Sequence, residues 1–317
     1  MRAVVDGLGA PRLSVLLFHR VLPAPDPMFP DLVDAERFDA LVRMLASAYR
    51  ILPAGEAASR LAEGTLPAGA LSITFDDGYA DNAEVALPIL RRHGVPATFF
   101  IATGFLDGGR MFNDSVIECV RAAPGEQADL AGFGLGQCPL ATPHDRRAVV
   151  ERLLPQVKYI GLDEREDFIA RLCRCLHVSR LPGALMMRSE QVRELRRAGM
   201  EIGAHTVRHP ILRVVDDAQA EREIRQGRDE LQGLIDAPVR LFAYPNGRPL
   251  QDYDTRHVEM VRRIGFQAAF STAPGTATAA SDAMQLPRFT PWDQTTARWM
   301  ARLLHMRTFG AAAVPQA

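Results

Sequence analysis

The sequence predicts an α/β fold in which parallel strands form a sheet or barrel, with the chemistry gathered at one end of it. Three observations carry the prediction. Short apolar runs recur along the 317 residues with amphipathic segments between them, the alternation expected of parallel strands joined by crossover helices. Gly and Pro stand at helix-to-strand exits, as in His93-Gly94-Val95-Pro96 and Ala198-Gly199, where a left-handed cap ends one element and releases the next. Polar clusters follow the apolar runs at Phe18-His19, Phe75-Asp76-Asp77-Gly78, Ala204-His205 and Ala243-Tyr244-Pro245-Asn246-Gly247. That is the carboxyl end of the strands, where such folds keep their catalytic groups.

In chain order, strands are expected at 14–18, 71–75, 97–101, 201–204, 240–243 and 267–271, with a further one around 286–289. Each is short and rich in aliphatic, aromatic or small residues, as strands covered on both faces are. Helices are expected at 35–48, 82–93, 189–198, 218–234 and 253–264, where apolar residues return at helical spacing. From about 105 to 183 the alternation lapses into helices joined by the Gly-rich loop Gly132-Phe133-Gly134-Leu135-Gly136. This segment reads as an insertion packed beside the barrel and shaping a substrate cleft, within a single catalytic domain over 1–317. The tail, 310–317, reads as frayed.

Composition excludes several classes. With 47% hydrophobic residues the chain can bury a full core. Lys+Arg 37 against Asp+Glu 38 leaves a formal charge of -1, so there is no global basic field to collect nucleic acid or anionic lipid. The first twelve residues lack the apolar core of an export signal, and 13–18 is too short to span a bilayer. The expected location is cytoplasmic, with no transmembrane segment, and the oligomeric state is left open. Cys119, Cys138, Cys173 and Cys175 then read as reduced thiols. Cys173-Arg174-Cys175-Leu176-His177 falls in a helical pattern, where side chains two apart diverge, so these are read as ordinary helix residues rather than metal ligands.

The candidate chemistry lies elsewhere. Thr74-Phe75-Asp76-Asp77-Gly78-Tyr79 sets two carboxylates at a strand end before a glycine that permits a sharp turn. Alone it also reads as an Asp-Gly turn, with Asp81 capping the helix that starts near Asn82. His205 and His209 are four residues apart, on one face of any helical turn. Such a pair can offer two nitrogens to one metal about 2.0–2.1 Å away, and a carboxylate completes a three-ligand site open to water. Phe242-Ala243-Tyr244-Pro245-Asn246-Gly247 offers backbone: proline fixes a turn that can aim the Asn246 N–H into the cleft as an oxyanion donor. An ordinary strand-to-helix turn is the other reading.

The ordered set Thr74-Phe-Asp-Asp-Gly78, His205-Thr-x-x-His209 and Phe242-Ala-Tyr-Pro-x-Gly247 resembles the polysaccharide deacetylase (NodB-homology) family, in its exopolysaccharide-deacetylase-like branch, from about Leu13 to Pro291 outside the insertion. The resemblance implies a distorted (β/α) barrel of about seven strands and a divalent metal, usually zinc. It implies Asp76 as general base, Asp77, His205 and His209 as metal ligands, and Tyr244-Pro245-Asn246 as the loop lending a backbone N–H to the oxyanion. Tyr79, Tyr244, Pro245 and Arg288 are expected to face substrate. Two positions depart from the pattern. Ala243 stands where many members carry the arginine that orients the base, leaving Arg240 or Arg288 to substitute, and Arg288 stands where a histidine acid is often found. His19, in Leu17-Phe18-His19-Arg20, resembles the N-terminal histidine to which the exopolysaccharide branch gives the acid role.

The activity implied is hydrolysis of a linear amide, the N-acetyl group of an amino sugar in a polysaccharide or its precursor. A small-molecule amide hydrolase or deformylase of the same superfamily, or a sugar-binding pseudoenzyme, would share the same motifs.

Overall fold

The computed structural model describes residues 11–290 and 295–309. The tail expected to fray and most of the segment read for an export signal lie outside them.

Strand β1 (Ser14–Phe18), β2 (Arg50–Ile51), β3 (Ala70–Phe75), β4 (Thr98–Ile101), β7 (Glu201–Ala204), β8 (Leu241–Ala243) and β9 (Ala268–Phe270) form one sheet. A separate hairpin, β5 (Gln127–Asp129) with β6 (Gln137–Pro139), lies in the insertion. The sheet runs β1-β3-β4-β7-β8-β9, with β2 also on β3, and every pairing in it is parallel. The six residues of β3 are all buried, which is why the strand reads as a continuous apolar run.

Residues 286–289 close the sheet on itself. Leu286 bridges Phe270 of β9 and Phe289 bridges Leu16 of β1, both in parallel. The ladder is made by Leu286 N–H to Ala269 O (2.8 Å), Ser271 N–H to Leu286 O (2.9 Å), Leu17 N–H to Phe289 O (3.0 Å) and Phe289 N–H to Val15 O (3.1 Å). The result is the distorted (β/α) barrel anticipated from the motifs, sealed by an irregular seam where the sequence suggested one more regular strand.

Helices cover the barrel. α1 (Ala35–Ala48) starts where Asp34 accepts the Arg37 N–H, and it turns Phe38, Leu41, Val42, Leu45 and Ala48 inward. Phe38 meets Phe18 at 5.5 Å and Phe75 at 5.8 Å, both edge-on, while Phe75 stacks on Phe99 at 4.7 Å. Truncating a ring in such a cluster typically costs ~3–5 kcal/mol. After α1 come α2 (Ala54–Ala62) and α3 (Leu87–Arg92), the latter entered through a wide π turn at Asn82–Ala86. Asp81 does not cap that turn, contrary to the turn reading of the motif. Its carboxylate holds the Arg20 Nε (2.8 Å) and the Val21 N–H (3.2 Å) instead.

The insertion consists of α4 (Phe112–Ala122), the hairpin, α5 (Pro143–Lys158) and α6 (Leu162–Cys175). It owns a hydrophobic cluster, including Val116, Val120, Val150, Leu153 and Leu172, into which Met28 reaches from the β1–α1 connection. The Gly-rich stretch is the hairpin tip, with Gly134 left-handed at φ 71. Cys173 and Cys175 fall on α6, and all four cysteines are free thiols. The chain returns to the barrel through α7 (Ser189–Arg197), α8 (Asp217–Ile235) and α9 (Thr255–Ile264), and α10 (Thr296–Phe309) packs back on α1. Among the described residues no helix is long and apolar enough to cross a membrane.

Candidate active site

The carboxyl ends of β1, β3, β7 and β8 open into one cleft of about 1180 Å³, whose lining includes His19, Asp76, Asp77, His205, His209 and Asn246. The insertion forms one wall through Phe112, Asn113, Leu154, Lys158 and Tyr159.

Asp77, His205 and His209 are all buried and bring one donor atom each to a common point. His205 Nε2 and His209 Nε2 lie 3.1 Å apart, and each is 3.4 Å from Asp77 Oδ1. Three donors placed tetrahedrally about 2.0–2.1 Å from one zinc ion would stand roughly 3.3–3.4 Å apart, so the triangle has the size of a metal cage. Asp77 Oδ1 is buried and has no hydrogen-bond partner, an orphaned acceptor that a cation would satisfy. His205 Nδ1 lies 2.7 Å from the carbonyl of Ala243. A proton on Nδ1 donated there leaves the Nε2 lone pair facing the cage.

Burial draws the His209 pKa down to about 3, with Asp77 opposing and His205 and Arg165 adding to the fall. His209 is therefore the neutral imidazole that metal binding requires. His205 is raised: burial lowers it, but Asp76 and Asp77 outweigh that. Asp77 is lowered because the two imidazoles and His19 overcome its desolvation.

The two histidines do not ride on a helical turn, as their spacing suggested. Residues 205–209 make a bend in which Thr206 (φ 66) and His209 (φ 51) are left-handed, and Asp77 (φ 77) and Asn246 (φ 58) share that conformation. Such residues cost of order 1–3 kcal/mol each and persist where their surroundings fix them. Here the surroundings are visible. Thr206 Oγ1 accepts the His209 N–H at 3.1 Å, and Glu223 on α8 accepts the Val207 and Arg208 N–H groups at 2.9 and 2.8 Å. Gly227 lets α8 lie against this backbone, since a Cβ there would stand 2.7 Å from the Thr206 carbonyl. Glu223 escaped the sequence reading because a lone Glu on an amphipathic helix looks like a solvated face.

Asp76 is gripped by Arg288. The guanidinium makes two parallel contacts of 2.7 Å to the two carboxylate oxygens, donates from Nε to Ser271 O at 3.1 Å and lies over the Phe100 ring at 5.4 Å. Desolvation alone would raise Asp76, but the Arg288 charge, with His205 and His19, leaves it lowered. Arg240 is exposed, so Arg288 fills the place left by Ala243.

Of the four residues expected to face substrate, Tyr79, Tyr244 and Pro245 are buried away from the cleft lining, while Arg288 borders the cleft only from behind Asp76. Arg288 is fully buried behind Asp76. Tyr244 is fully buried, stacked on Tyr253 at 3.8 Å, and donates to Met284 O at 3.0 Å. Tyr79 is buried under the Arg20 guanidinium and beside Asn113. An aromatic ring in a motif is as easily packing as contact, and here Tyr244 packs in the main core while Tyr79 packs on Met111 and Met186 with polar groups around it. Pro245 is buried and shapes the turn, while Asn246 reaches the cleft with its carbonyl accepting from Thr272 Oγ1 at 2.7 Å. His19 is exposed at the cleft rim.

The profile of the polysaccharide deacetylase family matches residues 63–128 and 165–269, together just over half of the sequence, and the chain belongs to that family. The match takes in the Asp76-Asp77, His205-His209 and 242–247 segments, and leaves out His19, Arg288 and the middle of the insertion. The Bacillus subtilis (strain 168) protein YxkH is 20% identical over 268 residues, spanning 84% of this chain and just under two thirds, 66%, of its own length. Among solved structures, the Streptococcus pyogenes deacetylase PplD in complex with acetate aligns with TM-score 0.64 at 19% identity, covering 93% of this chain and 98% of that one. IcaB from Ammonifex degensii aligns with TM-score 0.57 at 20% identity, covering 94% and 97%. At these identities the structures establish a shared barrel.

Proposed function

We propose that the chain is a metal-dependent hydrolase that removes the N-acetyl group from an N-acetylhexosamine of a polysaccharide or its precursor. One observation carries the proposal: an orphaned carboxylate oxygen and two imidazole nitrogens form a cage of metal size beside a second carboxylate held by an arginine. Asp77, His205 and His209 would hold a divalent cation, zinc being the usual choice for such a donor set. When bound, the cation supplies Lewis acidity, polarising the acetyl carbonyl and acidifying water.

The rest is the work of the protein's own groups. Asp76, kept ionised and fixed by Arg288, takes the proton of the attacking water. The backbone N–H of Asn246 faces the developing oxyanion, and one such donor is typically worth about 3–4 kcal/mol. His19 gives a proton to the departing amine, releasing acetate and a free amino sugar.

The test is acetate release from chitooligosaccharides by the purified chain, before and after chelation and with zinc restored. Acetate that disappears on chelation and returns with metal supports the reading. Asp76→Asn should retain metal and lose ~10²–10⁴-fold in turnover. No acetate under any metal would overturn it.

A further inference from the structure

A second cavity, about 440 Å³, lies between α4 and α6 of the insertion, with Arg208 of the loop after β7 on its wall, within the size range of small-molecule sites. It meets the catalytic cleft at Phe112, which lines both. Its lining carries four arginines, Arg110, Arg165, Arg180 and Arg208, against a single carboxylate, Glu166. Glu166 is already engaged with Arg208 at 2.7 Å.

Arg165 is the unusual member. It is buried, yet among the described residues no carboxylate pairs with it. Its Nε donates to Val157 O at 3.2 Å and its Nη2 to Lys158 O at 2.5 Å, both carbonyls at the end of α5. Its carbon centre lies 4.3 Å over the Phe112 ring. Burial and the nearby Arg208 pull its pKa down to about 10, so it stays charged at neutral pH. A buried cation with only carbonyls and a ring face for company is the kind of charge that an anion completes. Arg110 is tied to Ser115 Oγ at 3.0 Å and to the Pro182 carbonyl, and Arg180 is exposed at the mouth. Arg208 lies between two metal-cage histidines in the chain, and the Arg165 charge is felt at His209.

We propose that this cavity is a subsite for an oxyanion, a carboxylate or a phosphate, carried by the part of the substrate next to the acetylated sugar. Guanidinium forks match the planar oxygens of either group, and the Phe112 ring offers an apolar face for the intervening sugar. The inference rests on the deacetylase reading for its substrate and deepens it: the glycan is acidic, and the insertion reads its charge.

The test uses the full metal-loaded chain and three acceptors: neutral chitotetraose, the same oligosaccharide with a uronic acid beside the acetylated residue, and one with a phosphate there. The expected result is a KM about tenfold lower for one or both anionic acceptors, and the two arms show whether carboxylate or phosphate is the natural partner. Arg180→Glu, an exposed change that folding tolerates, should bring the preference to about one. Arg165→Gln should do the same if it folds. Equal KM for all three acceptors in the wild type would overturn the subsite, as would a preference that survives Arg180→Glu. If no acceptor releases acetate, the deacetylase reading falls, and calorimetric titration with glucuronate and with inorganic phosphate decides the subsite alone. Binding weakened at least tenfold by Arg180→Glu supports it; binding equal in both proteins, or absent from both, overturns it.

Discussion

Arg288 and Asp76 stand 212 residues apart in sequence and meet through two parallel contacts of 2.7 Å, buried between the Phe100 and Phe270 rings. The pairing sets the orientation of the carboxylate that the proposed reaction uses as a base. Replacing Arg288 by Lys keeps a charge but loses the fork. We expect turnover to fall about 10²-fold, the effect typical of a misplaced catalytic group, with bound metal unchanged by elemental analysis. Full activity in the lysine variant would show that charge alone suffices.

His209→Ala removes one corner of the metal cage and should abolish stoichiometric metal. Glu223→Ala removes no ligand, but it frees the Val207 and Arg208 N–H groups that shape the loop. A supporting group of this kind typically contributes 10–100-fold to affinity. Competition with a chromophoric chelator should read a loss of about that size, and an unchanged dissociation constant would mean that Thr206 holds the loop unaided.

His19 has the freest side chain among the proposed catalytic groups, so His19→Ala should leave the melting temperature alone. The variant should lose ~10²–10⁴-fold in turnover on an N-acetyl sugar. An aryl acetate needs no protonated leaving group and should suffer far less. Equal losses on the two substrates would assign His19 to positioning instead.

Asp114, on α4 behind Tyr79, is buried, and desolvation, opposed by Arg20, raises its carboxyl to about 7. In the unfolded chain the group titrates near its ordinary value of 3.8. Its folded pKa is the higher one, so its contribution is complete below about 4 and is lost as pH rises toward 7. Asp114→Asn mimics the neutral acid. Between pH 4 and pH 8 the wild type should lose about 1–3 kcal/mol relative to the variant, read as a few degrees in melting temperature. Parallel melting curves across that range would show that Asp114 stays ionised.

Much of the barrel was legible because its signals are local. The range of α1, 35–48, follows from an Asp34 cap and a clean apolar stripe, and β1 and β7 are bounded as their apolar runs suggest. β2 is two residues long and β5 is largely exposed, too little pattern for periodicity to register. The Asp76, Asp77, His205 and His209 quartet could be read because each follows a strand. Which arginine serves Asp76 could not, since the answer depends on how the barrel closes. The helical-turn argument for His205 and His209 brought the right residues together by the wrong geometry, because strained φ angles held by Thr206 and Glu223 leave no trace in residue spacing.

The seam at 286–289 couples two events that need not have been linked. During synthesis the ribosome delivers the cage residues, Asn246 and His19 well before Arg288. A nascent chain halted after β9 would already possess its proposed metal ligands while the ring stayed open and the Asp76 carboxylate lacked its anchor. Only when the last segment slots between β9 and β1 does Arg288 arrive at Asp76. Completion of the barrel thus fixes the proposed base, and a half-made chain would offer the proposed metal cage without an anchored carboxylate beside it.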